Sequence, residues 1–292
     1  MNEDSLGTLS DIVEHPRFRD RHTSLRVSTY FLSEYLERGK SGSQYDMWCE
    51  LLWEQQAFLP SDRPTALLTS ILCRTPSLRH IEIGQWCEPG CPYDLGWGNN
   101  AIESMTECRL DPYYRLNREE GDEDDDQDIF DTPTSYSHNI TIIFNSLLTA
   151  ISAARQPIQS LAATLWTECE GFSDDLRGLE VSMVQPSAHE LGTSSDFRSG
   201  LEDSFRGMKR LKLALEYGWA DNDDHINPHW KQWLVEMVKL APSLEQLSLY
   251  FDNLDLERLG GTFNRLGFLY FARQAHMERL THLELAHGVV QI

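Results

Sequence analysis

PHWKQWLVEMVKLAPSLEQLSLY, residues 228–250, reads as an amphipathic helix, a proline-marked turn and a short strand patterned Leu244-x-x-Leu247-x-Leu249. The strand pattern recurs as Leu280-x-x-Leu283-x-Leu285 and, led by methionine, as Met208-x-x-Leu211-x-Leu213, so that 208, 244 and 280 stand 36 residues apart. Equal steps of this size mark a repeat in which a helix–strand unit can bury its apolar face only against the next unit. The expected fold is α/β: a solenoid of helix–strand units around a curved parallel sheet, one array over residues 1–292.

Earlier parts of the chain fit the same design. In Pro64–Ile83, Leu67, Leu68, Ile71 and Leu72 form a helical stripe, Pro76 ends it, and Leu78-x-x-Ile81-x-Ile83 supplies the strand. Proline suits a first helical turn, where its missing N–H costs nothing, and it stops a helix just past its end; Pro64 and Pro228 take the first position, Pro76 and Pro242 the second. Asn227 is placed to cap the later helix. Near the start, a short helix around Ile12 and Val13 turns at His15-Pro16, and Leu25, Val27 and Thr29 alternate with Arg26, Ser28 and Tyr30 as a half-buried strand does. Gln44–Phe58 predicts a packed helix with Met47, Trp48, Leu51 and Leu52 on one side, and Ile140–Ile151 predicts another. Ile158-x-x-Leu161-x-Ala163 and Leu176-x-x-Leu179-x-Val181 follow one another after only 18 residues, so one of them is a compact unit or no unit at all. Val184–Gly200 reads as loop at both ends.

Regularity is lost between Gly84 and Ser137. Residues 85–137 form an irregular acidic insertion, and the run Glu119, Glu120, Asp122, Glu123, Asp124, Asp125, Asp126 and Asp128 predicts a disordered loop around 117–132, because it has too little apolar surface to offset the entropy of ordering. After Leu285 only seven residues remain, ending Val289-Val290-Gln291-Ile292. An open apolar edge of this kind is expected where a chain continues further or where a partner covers it.

Lys and Arg number 25 against 46 Asp and Glu, a net charge of −21, which repels phosphate backbones and anionic membranes and excludes nucleic acid as a general partner. The start has no basic segment followed by an apolar run, and nothing approaches the ~18 consecutive apolar residues of a membrane span. A soluble cytoplasmic or nuclear protein with no membrane partner is expected. Cys49, Cys73, Cys87, Cys91, Cys108 and Cys169 are sparse and unevenly spaced, as reduced thiols are.

Motifs that carry chemistry fail on their spacing. Cys87-Glu-Pro-Gly-Cys91 with His80 lacks the second pair that a zinc site needs. Asp221–His225 starts like a calcium loop but puts Ile226 at the glycine position and Gln232 at the bidentate glutamate position. Gly39-Lys40-Ser41 puts Glu34 where a phosphate loop needs glycine, Gly260-Gly261 suits a turn, and His189-Glu190 lacks the second histidine of a zinc-protease helix. Asn139-Ile140-Thr141 is a glycosylation sequon only in a secreted chain. Trp219, Trp230 and Trp233 fit helix packing better than a ligand platform. No cofactor, metal or catalytic residue is assigned.

Inward leucines turn the alternate strand residues outward. The outward set is Arg26, Ser28 and Tyr30; His80 and Glu82; Ser160 and Ala162; Glu180 and Ser182; Arg210 and Lys212; Gln246, Ser248 and Tyr250; His282 and Glu284. Arg26, Tyr30, His80, Glu82, Arg210, Lys212, Gln246, Ser248, Tyr250, His282 and Glu284 are the candidate partner-binding residues, with Tyr and Arg the natural anchors of a protein interface.

HPRFRDRHTSLRVSTYFL at 15–32, ILCRTPSLRHIEIG at 71–84, VKLAPSLEQLSLYF at 238–251 and ERLTHLELAHG at 278–288 together resemble the filamentous-fungal F-box/leucine-rich-repeat proteins. The resemblance runs from about Leu9 to the C-terminus with a break across Gly84–Ser137. It implies a leucine-rich-repeat-like solenoid whose repeats select a protein substrate, and a ubiquitin-ligase role with F-box adaptor and cullin as partners where an F-box lies upstream. No Leu-Pro-x-Glu-type F-box helix precedes Leu9, so recognition by the repeats is the part that carries over. The expected function is a non-catalytic protein–protein recognition module, the substrate-selecting repeats of an F-box-type ligase subunit. A ubiquitin-independent scaffold or regulatory protein is the second reading. A third, an α/β enzyme, requires a deep pocket with convergent titratable groups.

Overall fold

Four of the strands are entered through a similar turn. The N–H of Leu78 bonds the carbonyl of Thr75 at 3.0 Å, Met208 bonds Phe205 at 2.9 Å, Leu244 bonds Ala241 at 3.0 Å and Leu280 bonds Met277 at 3.4 Å. These contacts come from a computed structural model that describes residues 3–28, 43–84, 136–164, 178–180, 183–185, 191–192, 195–216, 230–252 and 277–287.

The turns feed a parallel sheet of seven strands that is not closed into a barrel: β1 (Ser24–Ser28), β2 (His80–Gly84), β3 (Ser160–Thr164), β4 (Leu179–Glu180), β5 (Arg210–Glu216), β6 (Gln246–Asp252) and β7 (His282–His287). Their order across the sheet is β1-β2-β3-β5-β6-β7, the order of the sequence. One bonding arrangement starts each pairing except that of β4 with β5. The carbonyl of Thr23 accepts from the N–H groups of Arg79 and His80, that of Arg79 from Gln159 and Ser160, that of Gln159 from Lys209 and Arg210, that of Lys209 from Glu245 and Gln246, and that of Glu245 from Thr281 and His282. The other six strands therefore begin at one level, and the register carries Leu25, Ile81, Leu161, Leu211, Leu247 and Leu283 side by side.

β3 and β4 settle the two closely spaced leucine patterns. β6 occupies one side of β5 along its whole length, so β3, paired from Arg210 to Leu213, and β4, paired at Leu215 and Glu216, share the other side. They form one level of the sheet rather than two. Gly178 permits the second entry, because a Cβ there would lie 2.5 Å from the backbone of Ala214.

Seven helices accompany the strands: α1 (Glu3–Glu14), α2 (Pro16–Arg19), α3 (Ser43–Phe58), α4 (Arg63–Arg74), α5 (Tyr136–Ala154), α6 (Asp196–Phe205) and α7 (Trp230–Lys239), counted among the described residues. α1 packs on α4, α4 on α5 and α5 on α6. Their apolar stripes share one buried core with Leu25, Val27, Ile81, Ile83, Leu161, Leu211, Leu213, Leu247 and Leu249 of the strands. The helices thus cover the leucine-bearing face. Polar links fix their spacing: Gln156 Nε2 donates to the Leu78 carbonyl at 3.0 Å, Ser152 Oγ to the Phe197 carbonyl at 2.7 Å, and Arg198 Nη1 on α6 lies 3.2 Å from the buried Glu236 carboxylate on α7. At Gly200 an added Cβ would lie 2.2 Å from the Ser152 carbonyl oxygen, so α5 and α6 touch backbone to backbone there.

Several boundaries differ from expectation. α1 runs from Glu3, not merely around Ile12 and Val13, because Leu6 and Val13 lie two turns apart on its buried side. Part of Val184–Gly200 is helical: Ser195 Oγ accepts the N–H of Arg198 at 3.1 Å and starts α6, a cap hidden in a serine-rich stretch. On α3, Leu52 is buried as expected, but Met47 faces solvent and Trp53 is 68% exposed; the buried side continues through Gln55, Phe58 and Leu59 instead. Thr29, Tyr30, Cys87, Cys91, the acidic insertion, Leu176, Val181, Ser182, Asp221–His225, Asn227, Pro228 and residues 289–292 lie outside the described residues. Among those described, no helix is long and apolar enough to cross a membrane.

Candidate functional site

With leucines turned toward the helices, the opposite face carries residues brought together only by register. Its first row is Ser24, His80, Ser160, Arg210, Gln246 and His282, and its second is Arg26, Glu82, Ala162, Lys212, Ser248 and Glu284. Members of a row come from distant parts of the chain yet stand about 4.8 Å apart strand to strand. Arg26, Arg210, Gln246, His282 and Glu284 are exposed, while His80, Glu82, Ser160, Ala162, Lys212 and Ser248 are partly covered.

β3 makes the face uneven. Ser160 and Ala162 are too short to fill the space between β2 and β5, and longer side chains reach over them. Arg210 Nη2 comes within 3.4 Å of His80 Nδ1 above Ser160. Glu82 feels the charge of Lys212 across Ala162 and lies 4.0 Å from Arg26 Nε on its other side. Burial nevertheless dominates and raises the Glu82 carboxyl above its ordinary value, against the pull of Arg26 and then Lys212.

The third row narrows to small residues around one large ring. Tyr250 pairs with Ala214 on one side and Ala286 on the other. Its side chain is buried, 3% exposed, in contact with Ala214 and separate from the main core. The Lys212 ammonium sits 5.1 Å from the ring centroid, in range for a cation–π attraction. The phenol hydrogen-bonds Glu284, and Ser248 bonds both. Burial first, and the bond and charge of Glu284 next, push the phenol far above its ordinary 10.0, so Tyr250 remains a donor. The bond from Tyr250 holds the Glu284 carboxyl below its ordinary 4.5, assisted by Ser248, Lys212 and His282 against its own burial.

The expected site residues therefore divide. His80, Glu82, Arg210, Lys212, Gln246, Ser248, His282 and Glu284 share one continuous face, with Arg26 at its β1 side. Tyr250 belongs to the face but supports it from beneath: alternation gives the direction of a side chain, and Lys212 and Glu284 close over this one. Glu180 stands apart near the C-terminal end of β5, its carboxylate 3.9 Å from His138 Nδ1. Ser28 is placed by backbone register alone, and Tyr30 and Ser182 lie outside the described residues. The role of Ser160 and Ala162 as a low floor was the missed feature, and the run Ser160-Leu-Ala-Ala-Thr164 carried its signal in side-chain size.

Among the described residues no three or more His, Cys, Asp or Glu are arranged to hold a metal ion, and Cys49 and Cys73 are free thiols. The arrangement offers fixed donors and acceptors of both signs over a parallel sheet. No protein-family model matches the sequence, and no curated protein matches it.

Proposed function

We propose that the chain is a non-catalytic protein–protein recognition module: a leucine-rich-repeat-like solenoid that binds a protein partner along the outward face of its sheet. The supporting observation is the register that aligns His80, Arg210, Gln246 and His282, and beside them Glu82, Lys212, Ser248 and Glu284, on the face opposite the helices. A mixed-sign surface held by a rigid ladder suits a protein partner, since its groups are ordered before binding and lose little entropy on contact. Partnership with nucleic acid is disfavoured by the net charge of −21, and the working compartment is the cytoplasm or nucleus.

The resemblance of the repeats to F-box/leucine-rich-repeat proteins supports a narrower form, in which the partner is a substrate delivered to a ubiquitin ligase. The experiment separates these levels. Proteins captured by wild type are compared with those captured by the face variant Ala162→Trp/Arg210→Glu and by the helix-side variant Asp196→Ala. Loss of a stoichiometric partner from the face variant alone is expected; equal capture by all three would sink the recognition reading. Co-capture of an F-box adaptor and cullin, with partner turnover that stops on proteasome inhibition, is expected of the ligase form, and a stable partner without them would leave a ubiquitin-independent scaffold.

A further inference from the structure

The first row of the face contains no carboxylate, although the chain carries a net charge of −21. The second row largely neutralises itself, with Glu82 beside Arg26 and Lys212, and Glu284 near Lys212. Arg210 is different. Among the described residues its guanidinium makes no ion pair, and its hydrogen-bond contact is the 3.4 Å approach to His80 Nδ1. Arginine can only donate, so a hydrogen bond at this contact has Nδ1 as its acceptor, the tautomer that leaves Nε2 as a further donor. Nearby, Arg79 donates to the carbonyls of Pro76 and Leu78 and meets no carboxylate among the described residues.

We propose that this row seats an acidic peptide segment of the partner, one carboxylate being held by Arg210 and by Nε2 of His80 above Ser160. The inference rests on the recognition reading and names its partner's chemistry. A planar guanidinium matches a carboxylate with two parallel hydrogen bonds, which an ammonium cannot do. Covering Arg210 with a neutral or basic surface would strip its water without restoring a counter-charge, whereas an acidic segment supplies one. The short Ser160 side chain keeps the floor between β2 and β5 low, so that Arg210 and His80 meet over it and both border the incoming group.

Fluorescein-labelled octaglutamate, octaglutamine and octalysine are titrated into the full chain and followed by fluorescence anisotropy at low and physiological ionic strength. Octaglutamate is expected to bind, more weakly as salt screens the contact, and Arg210→Gln to weaken it about tenfold, the usual scale for losing one charge-assisted bond. Arg210→Lys should fall between, and both variants, changed at an exposed position, should keep the wild-type melting temperature. Absence of octaglutamate binding, equal binding of octaglutamine or octalysine, or an unchanged Arg210→Gln would overturn the proposal. Photo-crosslinking of the natural partner from position 162 distinguishes the two levels: crosslinks without octaglutamate binding remove only the acidic-segment inference, and their absence removes the recognition face itself.

Discussion

Arg210 on β5 and His80 on β2 meet, Nη2 to Nδ1 at 3.4 Å, although β3 runs between their strands. Side chains two strands apart reach one another only when the strand between is low, and Ser160 and Ala162 make it so. The topography of the face is therefore set by the least conspicuous strand of the sheet.

The buried ladder should respond to truncation unevenly. Leu213 is fully buried between β3 and β6 neighbours, and Leu213→Ala should lower stability by about 2–5 kcal/mol, the range for an uncollapsed core cavity. Leu283 on β7 is 37% exposed, and Leu283→Ala should cost less than half as much. Urea unfolding of both variants measures the difference; equal losses would contradict the assigned core.

Two glycines should respond in opposite directions. Gly200→Ala forces a methyl against the Ser152 carbonyl and should destabilise by about 1–3 kcal/mol, the cost of overpacking. Gly7, inside α1, has nothing within 4 Å of an added Cβ, and Gly7→Ala should stabilise by about 0.5–1 kcal/mol through helix propensity. Thermal melts followed by circular dichroism should move apart accordingly, and a lower melting temperature for Gly7→Ala would show that α1 is misplaced.

Tyr250→Phe removes the hydroxyl bonded to Glu284 and should cost about 1 kcal/mol near neutral pH. The raised phenol contributes stability that is present below its unfolded value of 10.0 and is lost as pH rises beyond it. The lowered carboxyl contributes stability that is present above its unfolded value of 4.5 and is lost as pH falls below it. The gap between wild type and variant should thus be widest between those values and shrink on both sides. A gap independent of pH would mean that the two side chains are not bonded.

The sequence showed the skeleton of the fold because leucine spacing is a direct record of burial. Leu211, Leu247 and Leu283 stand in register, as do Met208, Leu244 and Leu280 at the turns before them. The pairing of β4 was not legible, since Leu179 shows only that a residue is apolar and not that β5 has a second half left for it. α6 was obscured because Ser195, Ser199 and Gly200 resemble loop residues, while the cap and the close approach to Ser152 that they serve are three-dimensional. On the face, alternation identified which residues turn outward. It could not reveal that Tyr250 is covered, because Lys212 and Glu284 lie 38 and 34 residues from it in sequence and reach it only diagonally, from the neighbouring strands.

Site-specific photo-crosslinking tests the recognition face most directly. A benzophenone side chain is placed at Ala162 or Ser248 on the face, or at Asp196 on the helix side, and the chain is irradiated with its bound partner. Crosslinks from positions 162 and 248 and none from 196 are expected; crosslinks confined to position 196 would contradict a recognition face on the sheet.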